Sequence, residues 1–278
     1  MAKIPNDVLT NLALSRYYES DRIFKVALTL GGSWTATTAT LATVEATRVS
    51  AGGYGGDVTI TLGAGTFNAT SRRYEIPEAI ATFTASASFQ FDGLFVYSEK
   101  SGVKRLEFAS KLTPTQSIGT GAQQPIKVRF YVADTGFILG ATGMPSEVIT
   151  NMAQSRYFES DRTYHLALAN GGSWTEENAT LATVEATRVS APAYPGDIQL
   201  ALGAGTFNTG NQRFQMPTIS ASFVASGGSF QFDGVFLYSQ KSAIKRLELA
   251  HRETVKTVGS GVTQPVSVDL AVLSIVVT

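Results

Sequence analysis

The amino-acid sequence repeats itself once, at an offset of about 140 residues. The segment ATLATVEATRVSA begins at Ala39 and returns unchanged at Ala179. The segment SRYYESDR begins at Ser15 and returns as SRYFESDR at Ser155. Each copy has a usual length for one domain, about 130 residues. The repeat therefore predicts two similar tandem domains, whereas a solenoid would generally need three or more units.

The boundary between the two predicted domains is placed within the segment ADTGFILGATGMPS, which begins at Ala133. The glycine and proline residues of this segment are typical of a linker. The match between the copies continues on both sides of it, so the duplication covers nearly the whole chain. We therefore assign residues 1–138 to a first β domain and residues 139–278 to a second.

Each copy begins with a pattern that predicts a short helix. Asn6 or Asp7 can cap the first helix, and Val8, Leu9 and Leu12 then form one apolar face. The second copy repeats the pattern with a serine as the cap. The predicted helix is followed in each copy by the repeated segment that begins Ser-Arg-Tyr, so that segment is expected to form the corner between a helix and a strand.

The rest of each copy consists of short runs that alternate between apolar and polar residues. In RIFKVALTL, Phe24, Val26 and Leu28 alternate with other residues, as in a half-buried strand. The segment ATLATVEATRVSA is also interpreted as a strand, because Ala42 and Val44 have the same parity. About seven or eight such runs per copy predict a mainly β chain of two antiparallel β-sandwich or β-barrel domains.

The composition limits the partners that this chain can have. Charged residues make up 16% of the chain, below the roughly 25% of soluble domains, so much of the surface must be small and polar. The net charge is zero, and we therefore expect neither nucleic acid nor an anionic membrane surface as a partner. The chain has no cysteine, which excludes disulfides, thiolate metal sites and a cysteine nucleophile.

The sequence offers no catalytic constellation that both copies share. His165 and His251 are the two histidines, and Lys25 and Ser110 occupy the matching positions of the first copy. The GAG of LGAGTF lacks the following helix that a dinucleotide site requires. No loop has the spacing of a calcium site. We therefore expect no catalytic residue, no cofactor and no metal.

Acids and arginines recur together in both copies, which favours ion pairs that hold loops in place. Glu45 is interpreted as a strand residue that pairs if it is buried, and Asp92 as a turn residue before glycine. The candidates for structural ion pairs are Arg16, Glu19, Asp21, Arg22, Glu45 and Arg48, with Arg156, Glu159, Asp161, Arg162, Glu185 and Arg188. The other acids that recur in both copies include Asp57, Asp92 and Glu107, with Asp197, Asp233 and Glu248.

The aromatic residues divide into a predicted core set and a predicted interface set. Phe89, Phe91 and Phe95 have strand spacing and are assigned to the core. Trp34 and Trp174 follow a Gly-Gly-Ser turn and are expected to be partly exposed. The candidates for contact with a partner protein or a glycan are Trp34, Tyr54, Trp174 and Tyr194.

Two segments of the first copy resemble small β-rich virion proteins of tailed bacteriophages. They are VEATRVSAGGY, which ends at Tyr54, and FDGLFVYS, which begins at Phe91. The second copy carries both segments but has APAYPG in place of AGGYGG, which makes its turn stiffer. The resemblance implies a structural protein of the virion, such as a capsid cement (decoration) protein, with no catalysis and no cofactor.

Three functional hypotheses stay open. The first is a capsid cement protein that binds the major capsid protein or other virion proteins, as a homo-oligomer or within the lattice. The second is a tail, neck or fibre component that binds a receptor or carbohydrate, which requires Trp34 and Trp174 to be exposed in a groove. The third is a glycan-cleaving enzyme, which requires two carboxylates about 5–10 Å apart in a cleft.

Overall fold

The computed structural model describes residues 6–71, 73–133, 146–208, 213–269 and 271–272. Strands are the dominant regular structure, and the strand pairings whose registers are described are antiparallel. The predicted mainly β class is therefore confirmed.

The first copy contains two helices and seven strands among its described residues. Buried and exposed side chains alternate along most of the long strand Arg73–Thr84, as the pleat of a strand with one buried face requires. In chain order the elements are α1 (Asn6–Tyr17), β1 (Ile23–Thr29), α2 (Leu41–Ala46), β2 (Val58–Ile60), β3 (Thr66–Asn68), β4 (Arg73–Thr84), β5 (Phe89–Lys100), β6 (Val103–Ile118) and β7 (Gln123–Ala133).

The second copy has the same order of elements, but the counterparts of β4 and β7 are each divided into two shorter strands. In chain order its elements are α3 (Ser146–Tyr157), β8 (Thr163–Ala169), α4 (Leu181–Ala186), β9 (Ile198–Leu200), β10 (Thr206–Asn208), β11 (Arg213–Gln215), β12 (Ile219–Val224), β13 (Phe230–Lys241), β14 (Ile244–Val258), β15 (Thr263–Val268) and β16 (Ala271–Val272).

The strands form open sheets in both copies. The first copy has a four-stranded sheet in the order β2-β1-β5-β6 and a three-stranded sheet in the order β3-β4-β7. The second copy has the matching four-stranded sheet, β14-β13-β8-β9, with a two-stranded sheet β12-β15 and a three-stranded sheet β10-β11-β16. Each described sheet therefore has two edge strands, and the outer edge of each has no ladder partner among the described strands.

The described residues divide into two compact units, one built around most strands of each copy, although residues 207–208 and 213 belong to the unit of the first copy. The helices do not follow the sequence repeat in this division. Residues 6–12 of α1 belong to the unit of the second copy, and residues 146–152 of α3 belong to the unit of the first. In the unit of the second copy, the backbone N–H of Asn6 donates to the carbonyl of Glu177 at 3.1 Å. The predicted boundary at residue 138 lies outside the described residues.

The segment ATLATVEATRVSA begins with a helix, so its interpretation as a strand is wrong. The Thr40 hydroxyl accepts from the backbone N–H of Thr43 at 3.2 Å, and the Thr40 N–H donates to the Thr43 hydroxyl at 2.9 Å. This reciprocal cap starts α2, and α4 has the same cap. Val44 is buried whereas Ala42 and Ala46 are exposed, so the alternating apolar residues do not share a face.

A cluster of aromatic rings joins the helix and both main sheets of the first copy. Tyr17 of α1 lies 4.9 Å from Phe130 of β7 and 6.0 Å from Phe24 of β1, measured between ring centroids. Phe24 and Phe130 are themselves 6.3 Å apart. Since β1 and β7 belong to different sheets, these contacts place the two sheets face to face at this point. Rings in this arrangement add to the stability that burial supplies.

Candidate functional site

The two most deeply buried charges of the first copy, Arg16 and Glu107, belong to a group that we call the corner cluster. Its members are Arg16, Glu19, Arg22, Ser98 and Glu107. Arg16 lies in the last turn of α1, and its Nε donates to Glu107 Oε2 on β6 at 2.7 Å. The Arg16 Nη2 also donates to a backbone carbonyl of β6 at 3.0 Å. The side chains of Arg16 and Glu107 are 2% and 0% exposed. A pair buried to this extent must stay complete, because removal of one partner leaves an uncompensated charge.

The rest of the corner cluster connects the buried pair to the surface. The Ser98 hydroxyl donates to Glu107 and accepts from Arg22 Nη1 at 3.1 Å. Arg22 also lies 2.7 Å from Glu19, which accepts from Lys100 at 3.0 Å. Partial burial alone would raise the pKa of Glu19, but the hydrogen bonds from Lys100 and Arg22 outweigh it and lower that pKa. The cluster thus favours the charged form of Glu19.

The second copy builds the same corner cluster from Arg156, Glu159, Arg162, Ser239 and Glu248. Arg156 lies 2.7 Å from Glu248, and both side chains are buried. Arg162 lies 2.6 Å from Glu159. Partial burial alone would raise the pKa of Glu159, but hydrogen bonds from the lysine at the end of β13 and from Arg162 lower it to about 2. The geometry of the cluster is therefore the same in the two copies.

Asp21 and Asp161, which were expected to pair in the same corner, lie outside the cluster. Both are exposed at turns, with φ of 62° and 63°. This left-handed region is one that aspartate adopts more readily than most residues. The ion pairs predicted for these two aspartates are not formed within the described ranges, and the two residues shape the turn that precedes a strand.

A second repeated group, the tyrosine cluster, consists of Glu45, Arg48, Tyr54, Asp57 and Tyr97 in the first copy. Asp57 accepts from Tyr54 at 3.0 Å, from Tyr97 at 2.7 Å and from Arg48 at 2.7 Å. Arg48 also donates to Glu45 on α2 at 3.1 Å. Burial, followed by the hydrogen bond to Asp57, raises the pKa of Tyr97. Each acid of the cluster is therefore held by at least one cation.

The second copy repeats the tyrosine cluster with Glu185, Arg188, Tyr194, Asp197 and Tyr238. Arg188 lies 2.9 Å from Asp197 and 3.0 Å from Glu185. The Tyr238 hydroxyl donates to Asp197 at 2.8 Å. Burial and this hydrogen bond raise the pKa of Tyr238 to about 12. The hydroxyls of Tyr194 and Tyr238 thus both donate to Asp197, as the matching tyrosines of the first copy donate to its aspartate.

The surroundings of the two tyrosine clusters differ at one pair of positions, which lie next to the cluster and are not members of it. In the first copy Lys25 and Glu99 lie on adjacent strands and form an ion pair at 3.3 Å. His165 and Gln240 occupy the matching positions in the second copy, so both charges of the pair have been replaced together. The His165 ring stacks on Tyr238 with ring centroids 5.0 Å apart. The exchange replaces an ion pair with a ring contact and leaves no single acid without its cation.

The tryptophans are buried, so the expectation that they are partly exposed is wrong. Trp34 and Trp174 expose only 6% and 5% of their surface. The Trp34 Nε1 donates to Thr47 Oγ1 at 3.0 Å, and Lys111 Nζ lies 4.7 Å from the ring centroid. Asp92 binds Lys111 at 3.0 Å from within β5, so it is a strand residue and not the turn residue that was expected. This ion pair covers the ring and removes it from the surface.

Tyr54 and Tyr194, the other two interface candidates, are half-buried. The ring of Tyr54 stacks on Phe83 at 5.9 Å and meets Phe89 edge-on at 5.5 Å. Tyr194 makes the matching contact with Phe223 at 5.8 Å. Their hydroxyls also accept from backbone N–H groups of the first strand of each copy. These contacts fix both tyrosines within their own copy.

Several residues of the two clusters were not assigned from sequence. Tyr97 and Ser98 were not recognised, and neither were Tyr238 and Ser239. Glu107 was noted only as a repeated acid, although it is the most buried one of the first copy. Its position beside the apolar residues of KRLEFA, which the second copy repeats as KRLELA, was the one available signal, because a repeated acid in a buried strand needs a repeated cation.

Within the described ranges, every helix is too short or too polar to cross a lipid bilayer. The same residues contain no group of three or more His, Cys, Asp or Glu side chains placed to hold a metal ion. No family model, curated protein or solved structure matches this chain.

Proposed function

We propose that this chain is a non-catalytic structural protein of a tailed-bacteriophage virion, namely a capsid cement (decoration) protein that binds the major capsid protein lattice and stabilises it. One observation carries the proposal. Most of the acids that the two copies share are joined to arginines of the same copy in the corner and tyrosine clusters. Ion pairs and hydrogen bonds that recur in both copies support a structural role for these residues, as the scaffold of a surface that binds other proteins.

The contacts of the shared acids support a role in the fold and not in a reaction. A general acid or base must reach the proton that it transfers in the substrate. Glu107 is fully enclosed and bound by Arg16 and Ser98. Asp57 is held by Arg48 and two tyrosine hydroxyls. These interactions occupy the carboxylate oxygens that a reaction would need.

We further propose that the strands of each copy form one antiparallel β-sandwich domain, in tandem along the chain, with a short helix before the strands in the sequence of each copy. The ring contact between Phe24 and Phe130 supports this arrangement, because it joins the four-stranded sheet to the three-stranded sheet. Facing sheets in a sandwich form their core in the same way. Two such modules in one chain can bind two neighbouring sites of a lattice, with far greater avidity than one module.

The outer surface of the second copy is suited to extended contact with other proteins. On the β12-β15 sheet the exposed side chains alternate with buried ones and none of those on the paired residues is charged. A surface of small polar groups has little desolvation cost compared with one of lysines and glutamates. The exposed residues of this face are Ser220, Ser222, Val224, Thr263, Pro265 and Ser267.

The alternative of a tail, neck or fibre component that binds a receptor or carbohydrate is less well supported. It depended on Trp34 and Trp174 as exposed stacking platforms, and both rings are buried. We therefore propose the capsid lattice as the site of action and the virion as the location of the protein.

The proposal is tested on particles of the phage whose genome encodes the chain. Mass spectrometry of gradient-purified particles is expected to find the chain in a fixed ratio to the major capsid protein. Particles produced without the chain are expected to bind the purified protein in a co-sedimentation assay and to resist heat better once it is bound. A chain that is absent from particles and does not co-sediment with them would contradict the proposal.

A further inference from the structure

A groove of about 410 Å³ opens beside β15 in the second copy. Six consecutive residues, 264–269, contribute to its lining. Because neighbouring residues of a strand point to opposite faces, a continuous run of six means that the groove follows the backbone edge of the strand. Val235 of β13 and Leu249 of β14 supply apolar surface from the other sheet. The groove therefore combines a strand edge with an apolar floor.

The edge of β15 that faces the groove is open to a further strand. Among the described residues β15 pairs with β12 alone, so its other edge has backbone N–H and C=O groups without a ladder partner. Natural proteins usually protect such edges with proline and with charged residues, especially lysine. Pro265, the third residue of β15, provides one such protection, and residues 266–268 are the part of the strand that is left open.

The matching edge strand of the first copy, β7, carries two cations. Lys127 and Arg129 lie on β7, with side chains 66% and 58% exposed, and both form ion pairs with Glu78. Ser267 and Asp269 take their places in the second copy. Neither cation is therefore present on the strand that lines the groove.

Asp269 is the one charged residue lining the groove that has no ionic partner among the described residues. It accepts a hydrogen bond from the Thr218 hydroxyl at 2.6 Å. The other charged residues of the groove are already paired, since His251 contacts Glu176 and Lys256 contacts Glu253. A positively charged side chain is therefore the natural complement of this end of the groove.

We propose that this groove binds an extended peptide segment of another protein, which adds a strand to the free edge of β15. Alternate apolar side chains of the segment cover Val235 and Leu249, and a lysine or arginine of the segment pairs with Asp269. Backbone hydrogen bonds supply affinity in this mode of binding, and the pockets for alternate side chains supply specificity. The inference stands independently of the virion role, because it concerns the chemistry of the segment and not its source.

The test uses the full chain and two labelled peptides taken from its own strands. The peptide QQPIKVRFYVA (residues 123–133) alternates apolar residues with lysine and arginine, as the groove requires. The peptide TQPVSVDLAV (residues 263–272) is its counterpart from the second copy and has an aspartate in place of the arginine. Fluorescence anisotropy is expected to show the basic peptide binding at least about tenfold more tightly than the acidic one.

The matched variant transfers the edge of the first copy to the second. Thr218→Glu, Ser267→Lys and Asp269→Arg together recreate the group that Glu78, Lys127 and Arg129 form on β4 and β7. Because the first copy folds with these residues, the variant is expected to fold and to bind the basic peptide at least about tenfold more weakly. Ser222→Lys, on β12 and away from the free edge, is expected to leave binding unchanged.

Amide hydrogen exchange on the parent chain keeps the test decisive if the triple variant is unstable. Bound basic peptide is expected to slow exchange at residues 266–269. The inference is overturned if neither peptide binds, if both bind equally, if the triple variant binds as the parent does, or if protection appears elsewhere and leaves β15 unchanged.

Discussion

The corner clusters are the same in the two copies, whereas the outer sheet faces differ between them. The corner cluster is the same in both, down to the serine that bridges its acid to a second arginine. The outer faces have diverged. On β4 and β7, Glu78 binds two exposed cations at 3.0 and 2.8 Å. In the second copy Ser220 on β12 and Ser267 on β15 lie 3.0 Å apart, and Thr218, which takes the place of Glu78, donates to Asp269 at 2.6 Å.

The difference follows from where each set of charges lies. Loss of one partner from a buried pair costs several kcal/mol, so the two copies retain the whole cluster or none of it. An exposed ion pair contributes about 0–1 kcal/mol, so an outer face can change with little effect on folding. The residues that differ between the copies are therefore where partner recognition can be altered, and the shared ones are where the fold is held.

The largest expected effect comes from the corner cluster. Glu107→Gln leaves the enclosed Arg16 guanidinium without its counter-charge and is expected to destabilise the protein by about 3–5 kcal/mol. Glu248→Gln removes the partner of Arg156 and is expected to have a similar effect in the second copy. Urea denaturation monitored by circular dichroism measures both.

Glu78→Gln is the matched control for these variants, because it makes the same chemical change in a partly exposed acid with two exposed cationic neighbours. Its denaturation midpoint is expected to stay close to that of the parent. If Glu78→Gln proved as damaging as Glu107→Gln, the distinction between the corner cluster and the outer face would be lost.

An intermediate effect is expected in the tyrosine cluster. Tyr97→Phe removes a hydrogen bond to Asp57 and should cost about 1–2 kcal/mol, with the same result for Tyr238→Phe. Tyr18→Phe is the control, because the second copy has Phe158 at that position and folds without the hydroxyl. A cost for Tyr18→Phe that exceeded the other two would show that the repeated contacts do not carry the greater part of the stability.

The smallest expected effect is a pH dependence that belongs to the second copy alone. Burial lowers the pKa of His165; the nearby Lys245 and Arg188 act in the same direction, and Asp197 acts against them. A histidine whose pKa is lower in the folded state is stabilising while neutral, so its contribution is complete above about pH 6.5. The contribution is lost as the pH falls below that value, because the unfolded chain takes up the proton first.

The double variant His165→Lys and Gln240→Glu checks this dependence by recreating the Lys25–Glu99 pair in the second copy. Its free energy of unfolding is expected to change less than that of the parent between neutral pH and a value below about 6.5, since lysine keeps its charge throughout. Thermal unfolding at the two pH values measures the difference. Identical pH dependence in parent and variant would exclude His165 as the source.

The repeat and the strand periodicity were sufficient to predict a mainly β chain and to mark Arg16, Glu19 and Arg22 as members of one corner. They could not identify Glu107 as the partner of Arg16, because the two residues are 91 positions apart and only the folded sheet brings them together. The alternating residues of ATLATVEA indicated a strand, but the Thr40–Thr43 cap favours a helix at this point. A six-residue helix is too short for its periodicity to compete with a strand pattern.

The tryptophans show why exposure was harder to predict than chain class. A Gly-Gly-Ser turn indicates a surface loop, and Trp34 directly follows such a turn. The ring nevertheless turns inward, bonds Thr47 and is covered by Lys111 from β6. Lys111 is 77 positions further along the chain than Trp34, so the local sequence pattern could not predict that it covers the ring.

The most direct test of the account is electron cryomicroscopy of the purified particles. Density for both copies of the module is expected on the capsid lattice, with the corner clusters enclosed within each copy and the contacts to capsid protein made by the outer sheet faces. Particles without this density, or a lattice contact made through the residues of the corner clusters, would contradict it.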